Sequence, residues 1–302
     1  MCGISGFADF NKKSGRDILE KMNRTLAHRG PDGEGYGIYY TPDAVIGLGH
    51  RRLSIIDLTE GGSQPKTFRH LHITFNGEIY NYTEIKKELE QKGHSFESHS
   101  DTEVILHAYD EWGSDALRKF TGMYAFVIYD EKNQKLFACR DRAGVKPFIY
   151  YHKNGVFLFA SELKALMQHP AFEKDINKDA AAAFMQYGYV PTPHCIFNKT
   201  YKLKPGHFLE LDVRTQAVHT TRYWNVYDAY NKPILAISLP EAITETERIL
   251  SKAFQYRMVS DVPVGVFLSG GYDSACVTAL LQKKQHGEDQ NIYDRRTRRG
   301  TE

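Results

Sequence analysis

The chain opens Met1-Cys2-Gly3-Ile4-Ser5-Gly6-Phe7, and the reading of this stretch governs the rest. A small residue after the initiator methionine permits removal of that methionine, which would leave Cys2 with both a thiol and a free α-amine. An α-amine titrates near about 7.7, far below a lysine, so part of it is neutral at pH 7 and can accept the thiol proton. Nucleophile and base then share one residue. The stretch has no basic segment followed by an apolar one, so it does not read as a secretory signal.

Composition narrows the classes around that start. The 302 residues correspond to about two domains. Hydrophobic residues are 41% and charged residues 25%, the profile of a soluble globular chain with enough apolar surface for a core. A net charge of +2 argues against a chain built to coat nucleic acid or an anionic membrane. No run approaches the roughly 18 apolar residues of a membrane span; the longest, such as Met123–Tyr129, are strand-sized. Cys2, Cys139, Cys195 and Cys276 show no CxxC spacing, and the 13 histidines show no metal spacing, so neither a disulfide framework nor a metal site is expected. Cys139 and Cys276 read as buried small hydrophobes. The expected location is the cytoplasm.

The first two hundred residues read as short strands with a few helices between them. Ile73–Phe75, Tyr124–Tyr129, Lys135–Cys139 and Val156–Ala160 have strand length and content, and Asn154-Gly155 is a hairpin signal. Asp17–Ala27 and Asn81–Lys92 carry apolar residues at helical spacing, and Ser100-Asp101-Thr102-Glu103 predicts a capping box opening a helix through Trp112. Consecutive strands without alternating helices predict a largely antiparallel α+β structure. Asp212–Pro233 reads as a connector. Ser238-Leu239-Pro240-Glu241 predicts a second capped helix, to about Met258, burying Ile243, Ile249, Leu250 and Phe254. Val264–Leu268 then reads as a strand running into Ser269-Gly270-Gly271-Tyr272-Asp273-Ser274, with a helix over Ala275–Gln282.

The opening cysteine does not stand alone. Cys2–Phe7 is followed in order by His28-Arg29-Gly30-Pro31-Asp32-Gly33, His50-Arg51-Arg52-Leu53-Ser54-Ile55-Ile56-Asp57, Phe75-Asn76-Gly77-Glu78-Ile79-Tyr80-Asn81 and Ser100-Asp101-Thr102-Glu103. With these motifs the sequence resembles the class II glutamine amidotransferases, specifically the glutaminase half of the glutamine-hydrolysing asparagine synthetases. Gly122–Phe126, Arg140–Pro147 and Ala160–Leu166 extend the resemblance, which covers about residues 2–290. It implies an N-terminal-nucleophile hydrolase domain of layered antiparallel sheets and helices over 2–213, a connector over 214–234, and a partial synthetase domain over 235–302. It implies Cys2 as the nucleophile on L-glutamine, and the Asn76 side chain with the Gly77 N–H as the oxyanion hole, a donor there being worth about 3–4 kcal/mol. Arg52, in a glutamine site with Leu53, Ser54, Ile55 and Ile56, suits the α-carboxylate as a guanidinium fork. Glu78 and Asp101 suit the α-ammonium group.

Ser269-Gly270-Gly271-Tyr272-Asp273-Ser274 is similar to the SGGxDS signature of the PP-loop ATP pyrophosphatases, whose glycines, hydroxyls and helix-start N–H groups receive a pyrophosphate. No GK[ST] follows, so it is not a Walker A loop. The resemblance implies the first βα segment of an α/β synthetase domain, with ATP and Mg²⁺ held by Ser269, Gly270, Gly271, Asp273 and Ser274, and Leu268 beside the nucleotide. Ala275 stands where the family usually has a second serine. L-aspartate would be the amide acceptor and a homodimer a possible assembly. The 34 residues from Ser269 to Glu302 are too few for a synthetase domain, and Asp294–Gly300 reads as the product of a shifted frame or an interrupted gene. The expectation is therefore glutamine hydrolysis with an incomplete synthetase half. A different acceptor, or a non-catalytic remnant, is the alternative.

Overall fold

A computed structural model describes residues 1–285, and the expectation for the arginine-rich tail lies outside the described residues. The chain divides into two units, Met1–Tyr230 and a second beginning at Asn231.

The first unit is built on two six-stranded sheets, antiparallel in every pairing described. One has the order β10 (Thr200–Lys202), β8 (Ile149–Lys153), β9 (Val156–Ala160), β1 (Gly3–Asp9), β3 (Val45–Arg52) and β2 (Gly33–Tyr40). The other runs β12 (Val218–Arg222), β11 (His207–Asp212), β7 (Lys135–Arg140), β6 (Gly122–Asp130), β5 (Leu71–Ile79) and β4 (Lys66–Phe68). The two-residue period of a strand assigns the faces. Ile4 and Ala8 of β1, with Ile46 and Leu48 of β3, pack against Ala125, Val127 and Tyr129 of β6 in the layer between the sheets. Phe7 and Val45 point the other way, onto Ile18, Leu19 and Met22 of helix α1 (Arg16–Arg24). On the far side of the second sheet, Ile73, Phe75 and Phe126 meet Ile85 and Leu89 of α2 (Tyr82–Gln91) and Val104, Ile105 and Ala108 of α3 (Asp101–Trp112). The result is helix, sheet, sheet, helix. This is the layered α+β arrangement expected.

Local signals account for several boundaries. Asn154 and Gly155 both have positive φ (57° and 69°), the two-residue primed turn that joins β8 to β9 with Lys153 opposite Val156. Ser100 caps α3 by accepting from the Thr102 N–H at 3.2 Å. The reciprocal half of the expected box is not made, because the Glu103 carboxylate instead accepts from the Glu97 and Ser98 N–H groups, each at 2.8 Å. Short helices α4 (Ala116–Lys119) and α5 (Leu163–Leu166) and helix α6 (Lys178–Tyr187) complete the unit, with α7 (Val226–Tyr230) at its end. Part of the expected connector, 214–234, is sheet: β12 pairs along β11 from His207↔Arg222 to Leu211↔Val218. Its side chains are mostly exposed, so it carries no apolar alternation to read.

The second unit holds α8 (Leu239–Tyr256), opened by a complete Ser238/Glu241 capping box, and α9 (Tyr272–Gln285). Three expectations fail there. Val264–Leu268 forms no strand, and Phe267 is 98% exposed. A parallel strand needs neighbours on its edges and helices on both faces, and the described residues of this unit offer no second strand. For the same reason Ile243 and Ile249 of α8 are exposed, and Leu250 and Phe254 only half-buried. Cys276 is exposed, not buried, whereas Cys139 is fully buried. No helix among the described residues is long and apolar enough to cross a membrane.

Candidate active site

Cys2 lies one residue before β1, and the register Gly3↔Arg51 carries it to the end of β3. There its Sγ is 3.3 Å from the Leu53 N–H, which donates to it, and 3.5 Å from the Leu53 carbonyl. Its own carbonyl accepts from Arg29 Nε at 2.9 Å, and Arg29 Nη1 donates to Glu162 at 2.9 Å. Burial disfavours the Glu162 carboxylate, but donors on Arg29, Lys164 and His28 outweigh it and pull its pKa down to about 2. Glu162 therefore stays ionised and holds Arg29 against the backbone of Cys2.

Asn76 arrives from the other sheet. Residues 74 and 76 of β5 face the first sheet while Phe75 faces the helices, and two hydrogen bonds tie the sheets at this end: Thr74 Oγ1 to the Gly49 carbonyl at 3.0 Å, and His50 Nε2 with the Phe75 carbonyl at 3.0 Å. Burial drives the His50 pKa down to about 3, so the imidazole is neutral and donates to that carbonyl. Gln64 adds a second brace, accepting from the Phe75 N–H at 2.6 Å and donating to Thr102 at 3.2 Å. Asn76 itself is fully buried, and neither its Nδ2 nor its Oδ1 has a hydrogen-bond partner. An orphaned buried amide costs about 1–3 kcal/mol and calls for an explanation.

One cavity collects these groups. It is lined by Met1 and Cys2, by Arg52, Leu53, Ile55 and Ile56, by Asn76, Gly77 and Glu78, and by Asp101 at the start of α3. Of the residues expected in a glutamine site only Ser54 is not brought in; its N–H donates outward to Asp32 at 2.8 Å. The Arg52 guanidinium is held by the Thr59 carbonyl at 2.8 Å and by the Asp57 carbonyl, and Gly62 leaves room for it, since a Cβ there would collide with Arg52 Nη2. Asp101 accepts from the Ile79 N–H at 2.9 Å; burial first, then the neighbouring Glu78, raises its pKa to about 7. Burial likewise raises Glu78 and the Cys2 thiol, and lowers the α-amine of Met1. Gly62, Gln64, Phe75, Ser100, Thr102 and Lys146 also line the cavity, and the sequence reading assigned none of them a role. Lys146 sat in plain view in the Arg140–Pro147 motif, but nothing in the sequence says that a lysine between Val145 and Pro147 turns inward.

The arrangement presents a thiol, an amine that can shed its proton, an unpartnered amide, one guanidinium and two carboxyl groups in one cavity. Those are the elements of attack on an amide carrying both an ammonium and a carboxylate. Residues 1–224 match the family model described as the glutamine amidotransferase domain. The chain belongs to the glutamine amidotransferase domain family. Residues 245–296 match the model described as asparagine synthase. This amidotransferase chain is 40% identical over 301 residues to the putative asparagine synthetase [glutamine-hydrolyzing] 2 of Methanocaldococcus jannaschii, covering 94% of this chain and 57% of that protein. It is 37% identical to the asparagine synthetase [glutamine-hydrolyzing] 3 of Bacillus subtilis, covering 93% and 45%. The chain thus spans about half the length of these curated relatives. Among solved structures, the B. subtilis glutamine phosphoribosylpyrophosphate amidotransferase shares the fold, with a TM-score of 0.55 and 19% identity, over 93% of this chain and 64% of that one.

The Ser269–Ser274 turn of the second unit is a different kind of place. Ser269 Oγ lies 3.1 Å from Ser274 Oγ, the Ser269 N–H donates to Ser274 Oγ at 3.2 Å, and Gly270 has φ +85°. Hydroxyls and glycines at the start of a 14-residue helix are a donor set that suits phosphate oxygens. The turn is open: nothing lies within 4 Å of a Cβ built on Gly270, and Tyr272 is 96% exposed.

Proposed function

We propose that the first unit hydrolyses L-glutamine to L-glutamate and ammonia. The observation that carries this reading is the orphaned Asn76 amide, buried without a partner in the cavity that holds Cys2. With Met1 removed, the α-amine of Cys2 takes the thiol proton and the sulfur adds to the side-chain carbonyl carbon of glutamine. The oxygen becomes an oxyanion that Asn76 Nδ2 and the Gly77 N–H receive; such a donor is worth about 3–4 kcal/mol in the transition state and stands idle otherwise. The α-ammonium then protonates the departing nitrogen, the C–N bond breaks, and ammonia leaves a γ-glutamyl thioester. Water adds to the thioester with the amine as base, and the thiol is restored as glutamate leaves. Arg52 takes the α-carboxylate, Glu78 and Asp101 the α-ammonium, and Leu53, Ile55 and Ile56 the apolar stem.

For the ammonia, the reading favoured by the relatives' names is amidation of aspartate at the expense of ATP. ATP, when bound, supplies the adenylyl group that activates the acceptor carboxylate. Ser269, Gly270, Gly271, Asp273 and Ser274 would hold its phosphates with Mg²⁺, and Leu268 would lie beside the nucleotide. The donors suit a pyrophosphate; the base and ribose find no wall among the described residues.

Glutamate release from glutamine by the purified chain tests the first part. Cys2→Ala is expected to lower it by at least about 10³-fold while leaving the unfolding transition in place, as loss of a covalent nucleophile does. Equal release by Cys2→Ala overturns the reading. Asparagine formation from aspartate, ammonium and Mg-ATP tests the second part separately.

A further inference from the structure

Among the charged side chains that line the cavity, Lys146 is the one that the scheme above leaves unused. Its side chain is buried, at 3% exposure for the residue, and reaches the cavity that holds Cys2 and Glu78. It makes no ion pair within 4 Å among the described residues. A buried, unpaired ammonium is costly, and a neutral residue of the same length would pack there more cheaply. The chain nevertheless fixes its backbone with care. Asp141, itself buried, accepts from the N–H groups of Ala143, Val145 and Lys146 at 3.1, 2.9 and 2.9 Å and from Tyr124 at 3.2 Å. Arg140 donates to the carbonyls of Lys146, Gly144 and Leu203 at 2.8, 2.7 and 2.7 Å. Gly144, at φ +67°, makes the turn between them. Two charged residues and a glycine thus hold the turn that presents this lysine.

We propose that Lys146 is a positioning residue that acts through Cys2: its ammonium supplies the positive potential that favours the thiolate. The proposal rests on the glutaminase reading of the cavity. The groups facing Cys2 are the terminal amine, Lys146, Glu78 and Asp101, with Arg29 on its carbonyl; those facing Lys146 are Glu78, Cys2, Arg29, Asp141 and the amine. The Asp101 carboxyl opposes a thiolate, and burial opposes it most of all. Lys146 works the other way, as does the terminal amine, which here belongs to Met1.

The test is the rate of alkylation of Cys2 by iodoacetamide against pH, read by mass spectrometry of the Cys2 peptide in the full chain. Lys146→Met is expected to move the midpoint up by about one pH unit, slowing labelling about tenfold below it. Lys146→Arg, which keeps the charge, is expected to stay within about twofold of the unaltered protein. A Lys146→Met profile that superimposes on the unaltered one, in protein with an intact unfolding transition, overturns the proposal. Should Lys146→Met not fold, the unaltered protein decides alone: anionic iodoacetate must gain on neutral iodoacetamide at Cys2 relative to a free cysteine thiol, and a ratio no higher than the free thiol's overturns it. Failure of Cys2 to label at any pH is a different result, which overturns the nucleophile reading and this one with it.

Discussion

The Cys2 cavity draws its walls from residues scattered between Met1 and Lys146, and its functional groups have keepers elsewhere in the chain. Arg29 and Glu162 hold Cys2, His50 and Gln64 brace the strand of Asn76, and Asp57 and Thr59 fix Arg52. The Ser269–Ser274 turn is held by its own members, two serines bonded to each other, with exposed Phe267 and Tyr272 around it. Both regions carry sharp sequence signatures. The difference teaches that a motif supplies donors, whereas a site needs distant residues to aim them and exclude water.

Five measurements would break or sharpen that contrast. The largest effect is expected at Asn76, whose whole environment serves one amide: Asn76→Ala should lower kcat for glutamine hydrolysis by about 10²–10³-fold with a much smaller change in KM. A KM effect alone would make Asn76 a binding residue. The second is a pH dependence. Burial holds the Asp101 proton up to about pH 7, so a bound ammonium must expel it below that point, and KM for glutamine should rise about tenfold per pH unit between pH 7 and roughly 5. A raised carboxyl pKa stabilises the fold most at low pH and loses that contribution as pH rises through about 7, so Asp101→Asn should gain stability relative to the unaltered protein from pH 5 to 8. Equal shifts in Tm at both pH values would refute this. The smallest effects belong to the second unit. Ser238→Ala should weaken hydrogen-exchange protection of α8 by about 1 kcal/mol through its capping box, while Phe267→Ser should change stability by under about 0.5 kcal/mol because the ring touches little.

How much of this was legible in the sequence follows from the range of the forces. The Asn154-Gly155 turn, the Ser100 and Ser238 caps and strand Val156–Ala160 are set by neighbours a few residues apart, and they stand where the pattern put them. The cavity's composition was legible only because several separated motifs together resembled a family; no local rule says that Cys2 meets Leu53. Three features escaped. Val264–Leu268 has strand composition without strand partners, which a propensity cannot know. β12 lies on a sheet edge with polar residues on both faces. Lys146 is hidden because a lysine is exposed by default, and only the turn built by Asp141 and Gly144 turns it inward.

The clamp on Cys2 also sets a clock. β1 is flanked by β9, and the carbonyl of Cys2 is held by Arg29 only with Glu162 beside it. At a synthesis rate of about 5–20 residues per second, those partners leave the ribosome roughly 10–30 s after Cys2 does. During that interval the thiol is an ordinary cysteine on an unfinished chain. Its working geometry begins with the closing of the first sheet, so the fold sets the geometry and the removal of Met1 supplies the base.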